Sequence, residues 1–292
     1  MSNMDNLGIK SNLDKFYTKP EVAAQCIEYA STYFSCVDTF LEPSAGNGSF
    51  LNLLTPYKKT VIALDIAPEN TAITKADFLS WHPDNTHQTI MTIGNPPFGK
   101  RMAAAVAFFN HAATFSDYIC FILPVTFMKW SVQKQLDKNF KLLEYYYLPD
   151  NSFLNNGKEY NIRCVFQIWS KHGIKDLRLT KNPPTSIPEF NLWQYNATPQ
   201  ALSTIEENWK YALYRQGRYD YNQIFTREDY SQIKEEMTRS KHKRQFFFVE
   251  PLTAEAEKNF LQMDFNALAD RNAITPGFGK SDFVGYYLEL FK

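Results

Sequence analysis

Three things are scarce in this sequence, and each scarcity closes off a class of protein. No apolar run approaches the length needed to span a bilayer, so no membrane-spanning helix is expected. Cysteine occurs only at Cys26, Cys36, Cys120 and Cys164, scattered and without a Cys-x-x-Cys pair. That argues against a zinc site or a disulfide framework and for buried, reduced thiols; no metal is expected. Charge of either sign is not in surplus, since 31 Lys+Arg against 31 Asp+Glu give a formal net charge of +0. A neutral total supplies no general attraction to phosphate, although it can conceal a basic cleft balanced by acidic surface elsewhere. Residues 1–12 are polar and have neither the basic start nor the apolar stretch of a secretory leader. A cytoplasmic or nucleoid-associated protein, not a secreted one, is therefore expected. Repeats and low-complexity tracts are also missing, which sets aside solenoid and disordered architectures.

What is present fits a globular chain. With 292 residues, 44% apolar and 21% charged, it can form one domain of ordinary size and a smaller companion. Apolar residues at Val22, Ala23, Cys26, Ile27 and Ala30 behind Pro20 have helical spacing. Compact β-branched or aromatic runs follow at 39–41, 61–64, 90–93 and 118–123, separated by the glycine turn 45–48 and by helical patterns through Phe50–Leu54 and 103–113. Strands alternating with helices predict an α/β fold with a mostly parallel, Rossmann-like sheet. Runs 142–148 and 163–169, so close together, predict an antiparallel pair. From Lys171 the alternation gives way to aromatic-rich, irregular sequence, with 181–184 and Pro188 resembling a linker. A boundary near Gly173 divides the chain into 1–172 and 173–292.

The strongest chemical signal is Asn95-Pro96-Pro97-Phe98, placed where a predicted strand ends and where open α/β sheets bind ligands. An exocyclic amine of adenine is a poor nucleophile because its lone pair is delocalised into the ring. The Asn95 side-chain oxygen and the Pro96 carbonyl can accept the two amino hydrogens, Pro96 and Pro97 fix the backbone, and Phe98 can stack on a base. A plainer reading is a proline turn with a buried phenylalanine. Asn182-Pro183-Pro184 repeats three letters of the motif, but Thr185 cannot stack on a base and the segment follows no strand. The second element, Glu42-Pro43-Ser44-Ala45-Gly46-Asn47-Gly48, is a strand-to-helix turn that a ligand can approach closely. Asp65 ends the next strand, where an acid can take both hydroxyls of a ribose, and Asp77-Phe78 offers an acceptor and an aromatic face beside an adenine. Either acid could equally be a helix cap or a solvated turn residue.

Taken in order, Lys15-Phe16-Tyr17-Thr18-Lys19-Pro20, residues 41–50, Asp65, Asp77-Phe78, Asn95–Phe98 and 118–126 resemble the N6-adenine DNA methyltransferases of the gamma arrangement. In that arrangement the cofactor motifs come first and target recognition last; the resemblance covers roughly the first 170 residues. It implies a class I methyltransferase sheet and S-adenosylmethionine as cofactor. Thr18, Glu42 and Gly46 would hold the methionine part of the cofactor, Asp65 its ribose, and Asp77 with Phe78 its adenine. Asn95, Pro96, Pro97 and Phe98 would form the catalytic loop, with Phe98 replacing a tyrosine often found there. Phe153 would line the other face of an extruded base, or else be a hydrophobic plug. Nucleic acid, DNA ahead of RNA, and a restriction endonuclease are the partners implied.

Residues 173–292 match no recognition module by motif. Lys241, Lys243 and Arg244, in a basic run before Phe246-Phe247-Phe248, suit a phosphate-contacting edge. The same run also reads as a solvated helix end entering a buried strand. Residues 275–280 could form a flexible tip or a surface turn, and the aromatics between Trp193 and Tyr230 read best as core. The rival readings are an RNA adenine methyltransferase, a protein-glutamine methyltransferase disfavoured by the short front of the chain, and a silent methyltransferase-fold subunit.

Overall fold

The computed structural model describes residues 16–84, 88–198, 205, 208–239, 243–271 and 275–292; residues 1–12 and Lys241 lie outside the described residues. In chain order the first part forms β1 (Tyr17–Thr18), α1 (Pro20–Ala30), β2 (Thr39–Glu42), α2 (Leu51–Leu54), β3 (Thr60–Asp65), β4 (Thr74–Lys75), β5 (Ile90–Gly94) and α3 (Ala103–Ala112). There follow β6 (Tyr118–Pro124), α4 (Trp130–Gln133), β7 (Lys141–Tyr147), β8 (Phe153–Asn155), β9 (Lys158–Tyr160) and β10 (Cys164–Ser170). Seven of these strands make one sheet in the order β4-β3-β2-β5-β6-β10-β7. Neighbours are parallel except β10, which runs antiparallel to both β6 and β7. This is the expected Rossmann-like α/β sheet, including its antiparallel pair.

The sheet holds because its strands feed two cores at once. Along β6, Tyr118, Cys120 and Ile122 point into one apolar cluster and Ile119, Phe121 and Leu123 into another, the alternation that a pleated strand imposes. The first cluster is closed by Val22, Ala23, Cys26, Ile27 and Ala30 of α1, the second by Ala105, Phe108, Phe109 and Ala112 of α3. Each large apolar side chain fully buried this way contributes about 1.5–3 kcal/mol. Cys26, Cys120 and Cys164 are buried and all four thiols are free, but Cys36 is exposed, contrary to expectation, because the turn after α1 faces outward.

Strand order also dictates where ligands go. β2 lies between β3 and β5, so the chain leaves it in both directions and the sheet reverses there. The loops after β2 and β5, which carry Glu42–Gly48 and Asn95–Phe98, are thereby set side by side. A small antiparallel sheet, β1-β8-β9, pairs Thr18 with Phe153, and its β8–β9 turn uses Asn156 and Gly157 at φ 49 and 73.

The compact units of the chain are Met1–Thr180 and Lys181–Lys292. They meet after the position that composition suggested, Gly173, because Arg178 ties the intervening segment to the first unit. Its guanidinium donates to the carbonyls of Gln133, Leu136, Asp137 and Phe140 at 2.6–3.1 Å. The second unit contains β11 (Phe190–Tyr195), β12 (Tyr211–Gln216), β13 (Phe225–Thr226), α5 (Tyr230–Thr238), β14 (Gln245–Pro251), α6 (Ala254–Phe260), α7 (Phe265–Ala269) and α8 (Lys280–Phe291). Its antiparallel sheet has the order β11-β14-β12-β13, with Phe246, Phe247 and Phe248 of the central strand completely buried. Tyr195, Trp209, Tyr214 and Tyr221 join that core, as expected of the aromatic stretch. Residues 275–280 do not form a flexible tip. Gly277 donates to the Ala269 carbonyl at 3.0 Å and Phe278 is buried in the same core.

Candidate active site

At the carboxyl edge of the first sheet, a cavity of about 200 Å³ opens between the loops after β2, β3 and β5 and the start of the described chain. Two glycines permit it. Gly94, at φ +152, lies where an added Cβ would come 3.4 Å from Glu42 Cγ, so β5 can run close beside the end of β2. Gly46, at φ +53, lies beneath the Tyr17 ring, which would meet an added Cβ at 3.2 Å. Its N–H donates to Asp65 Oδ2 at 2.7 Å, while Asp65 Oδ1 accepts from Ala67 N–H at 2.8 Å. Each oxygen of Asp65 keeps a further lone pair, and the residue lines the cavity.

Asn95 is oriented by its neighbours. Its Nδ2 donates to the Phe16 carbonyl at 3.1 Å, and a carbonyl can only accept, so the amide has no freedom to flip. Oδ1 must then face the other way, where it is buried and has no hydrogen-bond partner. The backbone of Asn95 is held as well, its carbonyl accepting from Ser44 Oγ at 2.9 Å. A buried acceptor left bare costs about 1–3 kcal/mol, so the fold tolerates a group that only a donor could satisfy.

Glu42 presents the same pattern with a charge at stake. The residue is 2% exposed, lines the cavity, and has a buried Oε2 without a partner. Burial pushes its carboxyl up to about 8; the Phe50 and Leu51 amides oppose that, and the nearby Asp65 adds to it. Thr18, 5% exposed, lines the cavity beside Phe16 and Tyr17.

Thus Thr18, Glu42, Gly46, Asp65, Asn95, Pro96, Pro97 and Phe98 share one cavity, as the sequence pattern anticipated. Other anticipated residues do not reach it. Asp77 accepts from Leu79 N–H at 3.1 Å and caps a short turn. Phe78 is 1% exposed; it packs 5.0 Å from Phe108, a cavity wall, and so supports that wall from behind. Phe153 is fully buried in the core on the α1 side, because β8 turns its ring inward, which matches the plug reading. Lys243 is exposed in the second unit, whereas Arg244 is committed internally, pairing with buried Glu236 at 2.8 Å and donating to the Tyr214 hydroxyl at 2.9 Å. Motif reading passed over Phe16, Tyr17, Ser44 and Ile66 as cavity residues. Ile66 is left 41% exposed directly after Asp65, which sequence alone does not reveal.

No protein-family model matches this chain, and none of the curated proteins compared with it does. Among solved structures, it is similar to a Vibrio vulnificus chain assigned as a type I restriction enzyme modification subunit, with 16% identity over 58% of this chain and a TM-score of 0.43. The chain spans 47% of the length of that protein. It is also similar to a Pyrococcus horikoshii chain assigned as an RNA methyltransferase, with 16% identity, 59% of this chain and 99% of that one covered, and a TM-score of 0.44. A third, the magnesium protoporphyrin IX methyltransferase of Synechocystis with S-adenosylmethionine bound, shares 9% identity over 52% of this chain and 79% of its own, at a TM-score of 0.38.

Proposed function

We propose that this chain transfers a methyl group from S-adenosylmethionine to the N6 amine of an adenine in DNA, the base being turned out of the helix to reach the cavity. One observation carries the reading: Asn95, whose buried Oδ1 has no hydrogen-bond partner, lines the same cavity as Glu42, Gly46 and Asp65. Acceptors suited to a target amine and groups suited to the cofactor are thus within one enclosure. The fit to the cofactor rests on the unpartnered Oε2 of Glu42, which would take its ammonium, the spare lone pairs of Asp65 for its ribose hydroxyls, and the half-buried backbone of Gly46, which lines the cavity without a side chain. Ile66 offers an apolar face beside Asp65 for the adenine ring, the role that Phe78 is too buried to perform.

When bound, the cofactor supplies an electrophilic methyl group on a positively charged sulfur. The chain's own task is to make the amine attack it. Asn95 Oδ1 and the Pro96 carbonyl accept the two amino hydrogens and draw the lone pair onto nitrogen, while Phe98 stacks on the ring. As nitrogen becomes positive its hydrogens become better donors, so these contacts strengthen toward the transition state and lower the barrier. The nitrogen then loses one proton to solvent. Extrusion is required because the amine is out of reach of such a cavity while the base is stacked.

The test is a labelling experiment with tritiated S-adenosylmethionine and duplex DNA, single-stranded DNA or RNA, followed by digestion and identification of the labelled base. N6-methyladenine in DNA, absent with Asn95→Ala, is the expected outcome. Label appearing in RNA alone would move the substrate, and tight cofactor binding without transfer to any substrate would leave a silent methyltransferase fold.

A further inference from the structure

The second unit has a cavity of its own, about 480 Å³ in volume, walled by Trp193 and Gln194 of β11, Arg215 of β12, and Lys280 and Ser281 at the start of α8. Its construction is specific. The β12–β14 ladder shifts register between Tyr214 and Gln216, which puts Arg215 at a bulge, and bulges re-aim side chains. Arg215 Nε donates to Gln194 Oε1 at 3.4 Å and a second guanidinium nitrogen donates to Gln245. Two neutral amides therefore fix the plane of the guanidinium and leave donors to spare. The one carboxylate acting on Arg215 is Asp282, which accepts from Gly279 N–H at 3.0 Å at the head of α8. The start of α8 is pressed against β12 through Gly277. At φ +150, an added Cβ there would lie 2.5 Å from the Arg215 carbonyl, and Phe278 N–H donates to that same oxygen at 3.0 Å.

Two side chains in this wall are only partly committed, Trp193 being half-buried against the core of the second unit. Among the described residues Lys280 makes no hydrogen bond or ion pair, and no ring stacks on Trp193. A planar cation held in place, an unpaired ammonium and the hydroxyls of Ser281 and Thr185 match the oxygens of a phosphodiester, and the flat indole beside them matches a base. Meanwhile Arg244, which the basic run had nominated, is consumed by Glu236.

We propose that this cavity grips one nucleotide of a nucleic-acid strand, with Arg215 and Lys280 on the phosphodiester and Trp193 stacked on the base. The inference takes nucleic acid as substrate from the reading above but requires no methyl transfer. It is tested on the full chain by fluorescence anisotropy with a labelled single-stranded DNA oligonucleotide, at several salt concentrations, for the wild type, Lys280→Gln, Arg215→Gln and Trp193→Ala. Each of the two charge variants should weaken binding and reduce the magnitude of the slope of log K against log salt by about 1. Trp193→Ala should weaken it roughly 5- to 100-fold with the slope retained. Calorimetry should find S-adenosylmethionine affinity unchanged in all three. Wild-type oligonucleotide binding by Lys280→Gln, the substitution that leaves folding least at risk, and by a Trp193→Ala protein shown to be folded would overturn the proposal. So would adenosine monophosphate competing as tightly as the oligonucleotide, which would make the site one for free nucleotides. Weakened oligonucleotide binding by these variants together with a wild type that transfers no methyl would discard the methyltransferase reading and leave this one standing.

Discussion

Asn95 separates donor from acceptor within a single amide, and that makes its substitutions informative. Asn95→Ala removes the acceptor and should lower the single-turnover methylation rate about 10²–10³-fold while leaving cofactor affinity near wild type. Asn95→Asp keeps an acceptor but sets a carboxylate oxygen against the Phe16 carbonyl, now 3.1 Å from Nδ2. It should therefore be no more active than Asn95→Ala, and a rate above a tenth of wild type would remove the catalytic role. Glu42 makes a pH argument with a definite sign. Its carboxyl is raised from 4.5 to about 8, so between those values the folded protein holds a proton that the unfolded chain has released. Stability of the ligand-free protein should then fall as pH rises through that window, and fall less in Glu42→Gln, as thermal melts at pH 5 to 9 can read. The cofactor's ammonium beside Oε2 should favour the ionised form, so binding at pH 7 should release a proton, measurable by calorimetry in buffers of different ionisation enthalpy. That these residues would gather at one cavity was legible in sequence because strand ends in an open sheet are where such loops must sit. Phe78 misled, and Phe153 could be left only as one of two alternatives, because an aromatic next to a motif looks the same whether its ring faces a cavity or the core.

Elements were read more securely than single side chains. Periodicity located α1 and the strands β2, β3, β5, β6, β7 and β10, since each must satisfy two buried faces with strict alternation or a continuous apolar run. The two-residue strands β1 and β4 and the hairpin β8–β9 escaped, because a strand that short carries no period. β1 is nevertheless the element on which the site depends: its pairing with β8 places Thr18, and the residue before it orients Asn95. In the second unit, the run 239–244 was read by charge alone, and charge does not reveal a partner eight positions earlier on α5. Glu236 is 5% exposed, so Arg244→Ala would strand a buried carboxylate. That should destabilise the protein by toward the lower end of about 3–5 kcal/mol, as Arg244 itself is partly exposed. Chemical denaturation measures it; a folded variant of unchanged stability with weakened DNA binding would restore Arg244 to the phosphate-contacting edge.

At the scale of the whole molecule, a formal net charge of +0 means that affinity for nucleic acid cannot come from a general field and must come from a few placed groups. The division of labour follows from where those groups are. Every residue lining the first cavity lies between Phe16 and Phe108, within the unit Met1–Thr180, and that unit has its own two-sided core. Residues 1–180 expressed alone should therefore fold, because a unit that buries its own apolar faces needs no partner to do so. They should bind S-adenosylmethionine as the full chain does, since no cavity residue is removed. Oligonucleotide affinity should fall and its salt dependence should flatten, because Trp193, Arg215 and Lys280 are all in the unit that is lost. Calorimetry with the cofactor and anisotropy with labelled DNA, run on the same preparation, read the two halves of this expectation independently. A fragment that folds and binds the cofactor but also binds DNA as tightly as the full chain would place strand recognition in the first unit and deprive the second cavity of its role.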